Sequence, residues 1–384
     1  MKQSTVFSQV IKLIPRTYFE AAVRRHKGDR GIRQLNCWTW FGALLFGQLT
    51  GHDSIRSIER VFAYSEKHMK SLGLSSIRKS TFADANQKRP LALLEDVFFY
   101  LLTQAKLKAP ISGFKIQGQL LALDASVIDL SLKLMPWARF RSNEACLKLH
   151  TAIDLAGDLP EIVVIGPGTV QDMKMARQRM SFKPETTIIF DKGYSNYSWY
   201  QSLIEEKVFF VTRMKTYPKF KVVSSRKTNR SKGYLCDQEI YIKGKTAGKS
   251  RLGKLRRISY RDPETKKKLV FLTNRFDLNT ETICALYKAR WSVELFFKTI
   301  KQNLKIKKFL GTTPHAVHAQ IWVALIAYLL IQIIRFGNRT HISVPATMAI
   351  LSVLIFSKMP LTILLGQLPR GNNNSNDSPK IQSN

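Results

Sequence analysis

The sequence predicts an α/β protein in which a mixed β-sheet flanked by helices follows an all-α N-terminal domain. Three observations carry this. Apolar residues recur at three- and four-residue spacing through residues 19–104. After Pro110 the texture changes to short runs of β-branched and aliphatic residues, and from about residue 170 strand-like runs alternate with helical ones. At 384 residues, 45% hydrophobic and 23% charged, the chain suits one large domain or two to three smaller ones, and is neither fibrous nor globally disordered. The expected divisions are a helical N-terminal domain over 1–112, an α/β domain over 113–311, a helical segment over 312–368 and a disordered tail over 369–384 that has little to bury.

In the N-terminal part, Asp53 is placed to cap one helix that carries Ile55, Ile58, Phe62, Met69 and Leu72 on one side and ends at Gly73. Residues 75–90 follow, with Thr81 and Asp84 at capping-box spacing and basic residues flanking a short amphipathic helix. Such a segment could lie against DNA, and it reads equally as an ordinary solvated helix. Strands are expected at 117–123, 127–132, 147–155, 161–165, 186–190 and 207–213, with helices at 170–180 and 198–206.

Residues 216–268 hold 17 Lys and Arg against four Asp and Glu, a net of +13 within a total of +34. The alternation in EIYIK, LRRISY and KLVFLT marks a basic β-rich insertion, at about 214–275, and Tyr217, Phe220, Tyr234, Tyr241 and Tyr260 could stack on exposed bases. Charge on this scale implies a polyanionic partner, nucleic acid first and an anionic membrane surface second. The apolar run 321–334 is 14 residues long, short of the roughly 20 that a bilayer span requires, so it and residues 348–356 are expected to be core helices. The first 19 residues lack the uninterrupted apolar stretch of a secretory signal. Cys37, Cys146, Cys236 and Cys284 lie scattered without a CxxC pair, which argues against disulfides and structural zinc and fits a cytoplasmic protein.

GKTAGKS at 244–250 resembles a phosphate-binding loop but has three residues, not four, between its glycines and opens no helix, which excludes nucleotide hydrolysis. The informative residues are acidic. Asp124 ends QLLALD and Asp191 ends TTIIFD, and carboxylates at the C-terminal ends of adjacent strands point into one cleft. Crowded carboxylates repel one another unless a divalent cation joins them, and an all-oxygen set favours Mg²⁺ or Mn²⁺. A helix expected over 285–311 supplies a third. With Tyr287 at zero, Arg290 falls at roughly 300°, Glu294 at roughly 340° and Lys301 at roughly 320°, beside an apolar stripe that can pack on the sheet.

The spacing Tyr287, Arg290, Glu294, Lys301 resembles the Y(2)R(3)E(6)K signature of bacterial insertion-sequence transposases in the fourth insertion-sequence family. Asp191-Lys192-Gly193-Tyr194 resembles that family's second-aspartate motif, usually Asp-Arg-Gly-Tyr. LALDASVIDL around Asp124, KLHTAIDL at 148–155 and STFADANQKRP at 80–90 are similar to it as well. The likeness extends from about residue 19 to 365. Lys192 keeps the positive charge of the usual Arg but not its bidentate fork.

The resemblance implies a ribonuclease-H-like core interrupted by a β-rich insertion, and a DDE triad of Asp124, Asp191 and Glu294 holding two Mg²⁺ ions, with Mn²⁺ able to substitute. It implies cut-and-paste transposition through hairpin ends on double-stranded DNA, both element ends and target, by a homodimer with no membrane partner. Tyr287, Arg290 and Lys301 would then bind phosphates, with Lys192, Tyr194, Lys148 and His150 as further DNA contacts. His150 reads equally as a packing histidine. Asp129, Asp154 and Glu161 are rival carboxylates without a matching motif, and Asp172 suits the first turn of a helix. A DNA-binding relative without chemistry and a host nuclease on the same fold are the competing functions.

Overall fold

The computed structural model describes residues 4–214, 218–244, 248, 252–304 and 308–366. The GKTAGKS segment, Tyr217 and the tail from 367 fall outside these, wholly or in large part. Seven helices come first: α1 (Val6–Ile11), α2 (Arg16–Arg25), α3 (Cys37–Thr50), α4 (Ile55–Tyr64), α5 (Glu66–Ser71), α6 (Lys79–Lys88) and α7 (Leu91–Lys108). Two local expectations need correction. The helix expected after Asp53 is two helices that break at Ser65, and its cap is Ser54, whose side chain accepts from the Ser57 amide at 3.2 Å. Thr81 and Asp84 lie inside α6, whose first residue follows Arg78, so their capping-box spacing is incidental.

The strands are β1 (Leu120–Leu130), β2 (Arg139–Arg141), β3 (Glu144–Asp154), β4 (Leu159–Pro167), β5 (Thr187–Phe190), β6 (Phe209–Arg213), β7 (Phe220–Arg226), β8 (Tyr234–Ile242), β9 (Leu255–Arg261) and β10 (Lys268–Thr273). They form one ten-stranded sheet in the order β2-β3-β1-β5-β6-β10-β9-β8-β7, with β4 also paired to β3. The two pairings that involve β5 are parallel and the others antiparallel. The runs expected at 117–123 and 127–132 are thus one strand, β1, because Ala125 and Ser126 continue the pairing to β3 opposite His150 and Leu149.

The basic block is continuous with this sheet. β10 pairs with β6 at Phe271 and Arg213, so β7 to β10 prolong the same hydrogen-bonded ladder. β7 escaped sequence reading because it is the edge strand, exposed along most of its length, and shows no inward-facing alternation. Of the described insertion aromatics only Tyr241 offers a large exposed surface, at 47%. Tyr234 and Tyr260 pack on each other, and the Arg257 guanidinium lies over the Phe220 ring.

A buried ion pair ties this extension to the next helix. Arg256 donates to both Asp237 oxygens, at 2.8 and 2.6 Å, and to the carbonyls of Arg275 and Leu278. Thr280, the first residue of a helix introduced below, donates to the same Asp237 at 2.7 Å.

Helices cover both faces. α8 (Asp172–Arg179) and α9 (Tyr197–Glu205) lie on one. On the other lie α10 (Thr280–Ala289) and α11 (Trp291–Lys298), followed by α12 (Pro314–Gly337), α13 (Val344–Val353) and α14 (Leu361–Gly366). The last three share a continuous core with the N-terminal helices, α12 running against α7 and α3. α12 is 24 residues long and apolar enough to cross a membrane, so the length argument made on 321–334 alone does not hold. Burial decides instead: 94% of its most apolar stretch is covered by the protein itself.

Candidate active site

Strand parity builds the site. Along β1, Leu121 and Leu123 face the core under α8 and α9, whereas Leu120, Ala122 and Ile128 face α10, α11 and the helices beyond. Asp124, at an even position, therefore projects beneath the helix that bears Glu294. In β5, Ile189 faces α10, so Asp191, two residues on, projects to the same side. The parallel register ends at Leu123 and Phe190, and the two aspartates are the next residue of each strand. Asp191 does end its strand, as expected. Asp124 lies within β1, at the point where pairing to β5 stops and pairing to β3 continues.

The helix expected over 285–311 is interrupted twice. α10 gives way to α11 at Arg290, and after Lys298 a wider π-helical turn, Thr299–Asn303, carries Lys301. The interruptions leave Tyr287, Arg290 and Glu294 on the site. Tyr287 donates from its hydroxyl to Asp191 at 3.0 Å. Arg290 donates to Asp124 at 3.3 Å and to Glu294 at 2.7 Å. Asp124, Glu294 and Lys301 line one open cavity of about 370 Å³, together with Lys298. Sequence reading passed over Lys298, although its position one turn after Glu294 was a usable signal.

The electrostatics follow from burial under these helices. Desolvation pushes the Asp124 carboxyl up to about 6, against the Ala125 amide and Arg290, which favour its charge; Glu294 and Asp191 add repulsion. Burial raises the Tyr287 hydroxyl well above its ordinary range, so it donates to Asp191 as a neutral phenol. For Arg290, burial works against the charge, but Tyr287, Asp124 and Glu294 outweigh it and shift it upward.

A linkage prediction follows for Asp124. Its folded value exceeds the ordinary 3.8, so ionisation costs folding free energy that is absent below about pH 4 and fully present above about pH 6. In chelator at pH 8, Asp124→Asn is expected to be more stable than the natural protein by up to about 3 kcal/mol, at 1.36 kcal/mol per unit. Urea unfolding at pH 4, 6 and 8 checks this, since the difference should close at pH 4.

Other sequence candidates lie elsewhere. Lys148 and His150 pair opposite Val127 and Ala125, on the face of β1 turned away from Asp124. Lys148 is held by the Val170 carbonyl and Asp172, each at 3.0 Å. His150 is fully buried; burial lowers it to about 4, and neither ring nitrogen has a hydrogen-bond partner among the described residues, Nδ1 standing 4.0 Å from Asp172. Tyr194 is 3% exposed and packs on Phe190 and Trp199. His150 and Tyr194 are thus buried, and Lys148 is tied to α8 through Asp172. Lys192 is exposed beside Asp191. Of the rival carboxylates, Asp129 is exposed on β1, Asp154 accepts from Gln119 and the Ala156 amide, and Glu161 pairs with Lys106. Asp172 stands in the first turn of α8, as expected.

Three hard-oxygen carboxylates on one face suit a divalent cation. Among the described residues, however, no three acidic, His or Cys side chains stand ready-clustered for one, and Arg290 is seated between Asp124 and Glu294.

Known proteins are similar to this chain. The family described as "Transposase DDE domain" matches residues 116–330, more than half of the chain, and a domain of unknown function matches residues 2–75. A protein of Sinorhizobium fredii named as a transposase is 35% identical over 262 residues, covering 67% of this chain and 71% of its own length. A Geobacillus stearothermophilus protein is 26% identical over 68% of each chain, and a Synechocystis protein 24% identical over 66% of this chain and 71% of its own. Both are named as transposases of insertion sequence elements.

Proposed function

The chain belongs to the transposase DDE domain family, and from that premise we propose that it mobilises its own insertion sequence as a member of the fourth insertion-sequence family. It would bind the terminal inverted repeats as a homodimer on cytoplasmic DNA, cut the strands, and join the freed ends to a target through hairpin intermediates. The observation that carries this reading is the convergence of Asp124, Asp191 and Glu294 on one face of the sheet, two of them lining the cavity and each gripped by a residue of the Tyr287 to Lys301 signature. The order β4-β3-β1-β5-β6, three antiparallel strands and then two parallel steps, supports a ribonuclease-H-like core.

The three carboxylates would hold two Mg²⁺ ions, or Mn²⁺ in their place. Bound there, such ions supply Lewis-acid activation of water and of the 3′-hydroxyl and stabilise the leaving oxygen. The protein's own groups do the rest. The Tyr287 hydroxyl fixes the orientation of Asp191. Lys298 and Lys301 line the cavity, where their cations orient the DNA backbone and offset charge that develops on the phosphate, while Arg290 lies between Asp124 and Glu294. The +34 charge draws the duplex in by a strongly salt-dependent attraction.

The test is incubation of the purified protein with linear DNA bearing the element's ends. Mg²⁺ should produce breaks at those ends and hairpin-ended products, and EDTA should abolish both. Absence of cleavage with Mg²⁺ and Mn²⁺ alike would refute the enzymatic reading and leave a DNA-binding protein.

A further inference from the structure

Arg290 is placed unlike an ordinary phosphate-binding arginine. Its side chain is 13% exposed, and two of its three nitrogens are spent on the carboxylates, Nη1 on Asp124 and Nη2 on Glu294. The third, Nε, is buried without a hydrogen-bond partner among the described residues, and the guanidinium lies 5.6 Å from the centre of the Tyr287 ring. Arg290 holds Oδ2 of Asp124 and Oε1 of Glu294, so an ion that bridged the two carboxylates would compete for those oxygens or lie next to the guanidinium, which its two positive charges would repel. A phosphate, by contrast, offers Arg290 two oxygens on one group, a forked partner in place of single bonds to two separate carboxylates.

We infer that Arg290 is a latch that makes cation binding and phosphate binding depend on each other. Seated between Asp124 and Glu294, it occupies the ligands and keeps the site weak for divalent cations. A DNA phosphate at the cavity draws the guanidinium outward, frees both carboxylates and gains a forked partner in exchange. Because coupling is reciprocal, a cation taken by the carboxylates releases Arg290 and tightens the grip on phosphate by the same factor. The cleavage centre is thereby assembled only where DNA lies in it. This device rests on the reading of the three carboxylates as metal ligands, and it adds a competitor that reading does not require.

The test reads Mn²⁺ binding, by titration calorimetry and by loss of the free-ion paramagnetic resonance signal, on the full chain without DNA. Arg290→Ala and Arg290→Gln should bind Mn²⁺ more tightly than the natural protein, by roughly tenfold, within the usual range of coupling between sites. Arg290→Lys, which keeps the charge but not the fork, should fall between. In the unmutated protein, inorganic sulfate, a tetrahedral dianion like phosphate, should tighten Mn²⁺ binding relative to chloride at equal ionic strength, and this arm needs no variant to fold. Equal Mn²⁺ affinity in all four proteins, lost in Asp124→Asn, would keep the metal site and overturn the latch. So would a natural protein indifferent to sulfate. Mn²⁺ binding that is unaffected by both Asp124→Asn and the Arg290 changes would overturn the metal-ligand reading itself.

Discussion

Asp124→Asn, Asp191→Asn and Glu294→Gln are each expected to reduce strand cleavage by about 10³-fold or more while duplex binding at low salt stays within about twofold. The first number follows from the proposed metal chemistry, in which loss of a carboxylate would remove part of a transition-state charge stabilisation worth several kcal/mol, each 1.36 kcal/mol being tenfold in rate. The second follows from the distribution of charge. Affinity for duplex rests on many Lys and Arg spread over a chain of net +34, 13 of that excess falling within 216–268, and replacing one acid by its amide alters little of it. Cleavage assays with matched gel-shift measurements check the pair. Cleavage that persists in any one of the three would remove that residue from the triad. The Asp124 variant carries a further signature, since it should be more stable at pH 8 in chelator while being inactive, which separates loss of chemistry from loss of fold.

Breaking the Arg256 to Asp237 pair should have the largest effect on stability. Both side chains are essentially inaccessible, at 1% and 0%. Asp237→Ala would leave a guanidinium in the core with only carbonyl partners, and such losses cost about 3–5 kcal/mol. Replacing both partners with apolar residues, Arg256→Met with Asp237→Leu, should recover most of this, because the penalty comes from the orphaned charge and not from a missing attraction. Urea midpoints of the single and double variants test the idea, and a double variant as unstable as the single one would count against it. The pair has a pH window too. Burial works against the Asp237 charge, but the bonds from Arg256 and Thr280 outweigh it and hold the carboxyl below its usual range. Its contribution is therefore present above about pH 4 and lost as pH falls further. Because Thr280 begins the helix that carries Tyr287, Asp237→Ala should also lower cleavage by loosening that helix.

Much of this molecule is legible without coordinates. Helical spacing before residue 110, β-branched runs after it and the placement of Asp124 and Asp191 after apolar strands are local patterns, because burial on one face of a helix or strand is written at a fixed period. Tyr287, Arg290, Glu294 and Lys301 were legible by spacing, and all four either bond to one of the two aspartates or line the cavity that Asp124 lines. Where reading failed, the missing quantity was either a single local hydrogen bond or a long-range pairing. Asp53 against Ser54 as a cap, and one helix against two at Ser65, turn on single hydrogen bonds. The merger of two runs into β1 turns on a partner strand some 25 residues away.

Sequence by itself determined the class of fold and the surplus of positive charge, and singled out Asp124, Asp191 and Glu294 as candidates, since each depends on composition or on a short period along the chain. Only the tertiary structure decided which residues share a face. Lys148 and His150 sit in the strand paired with Asp124's strand, yet the antiparallel register sets them opposite Val127 and Ala125 and turns them to the other side of the sheet. The structure also decided that the basic block extends the catalytic sheet, and that the apolar 24-residue helix is a core element. Above all it set Arg290 between Asp124 and Glu294, 166 and four residues distant in sequence. Register and packing are relations between distant segments, and a one-residue change of register inverts every side chain of a strand, so no local period encodes them.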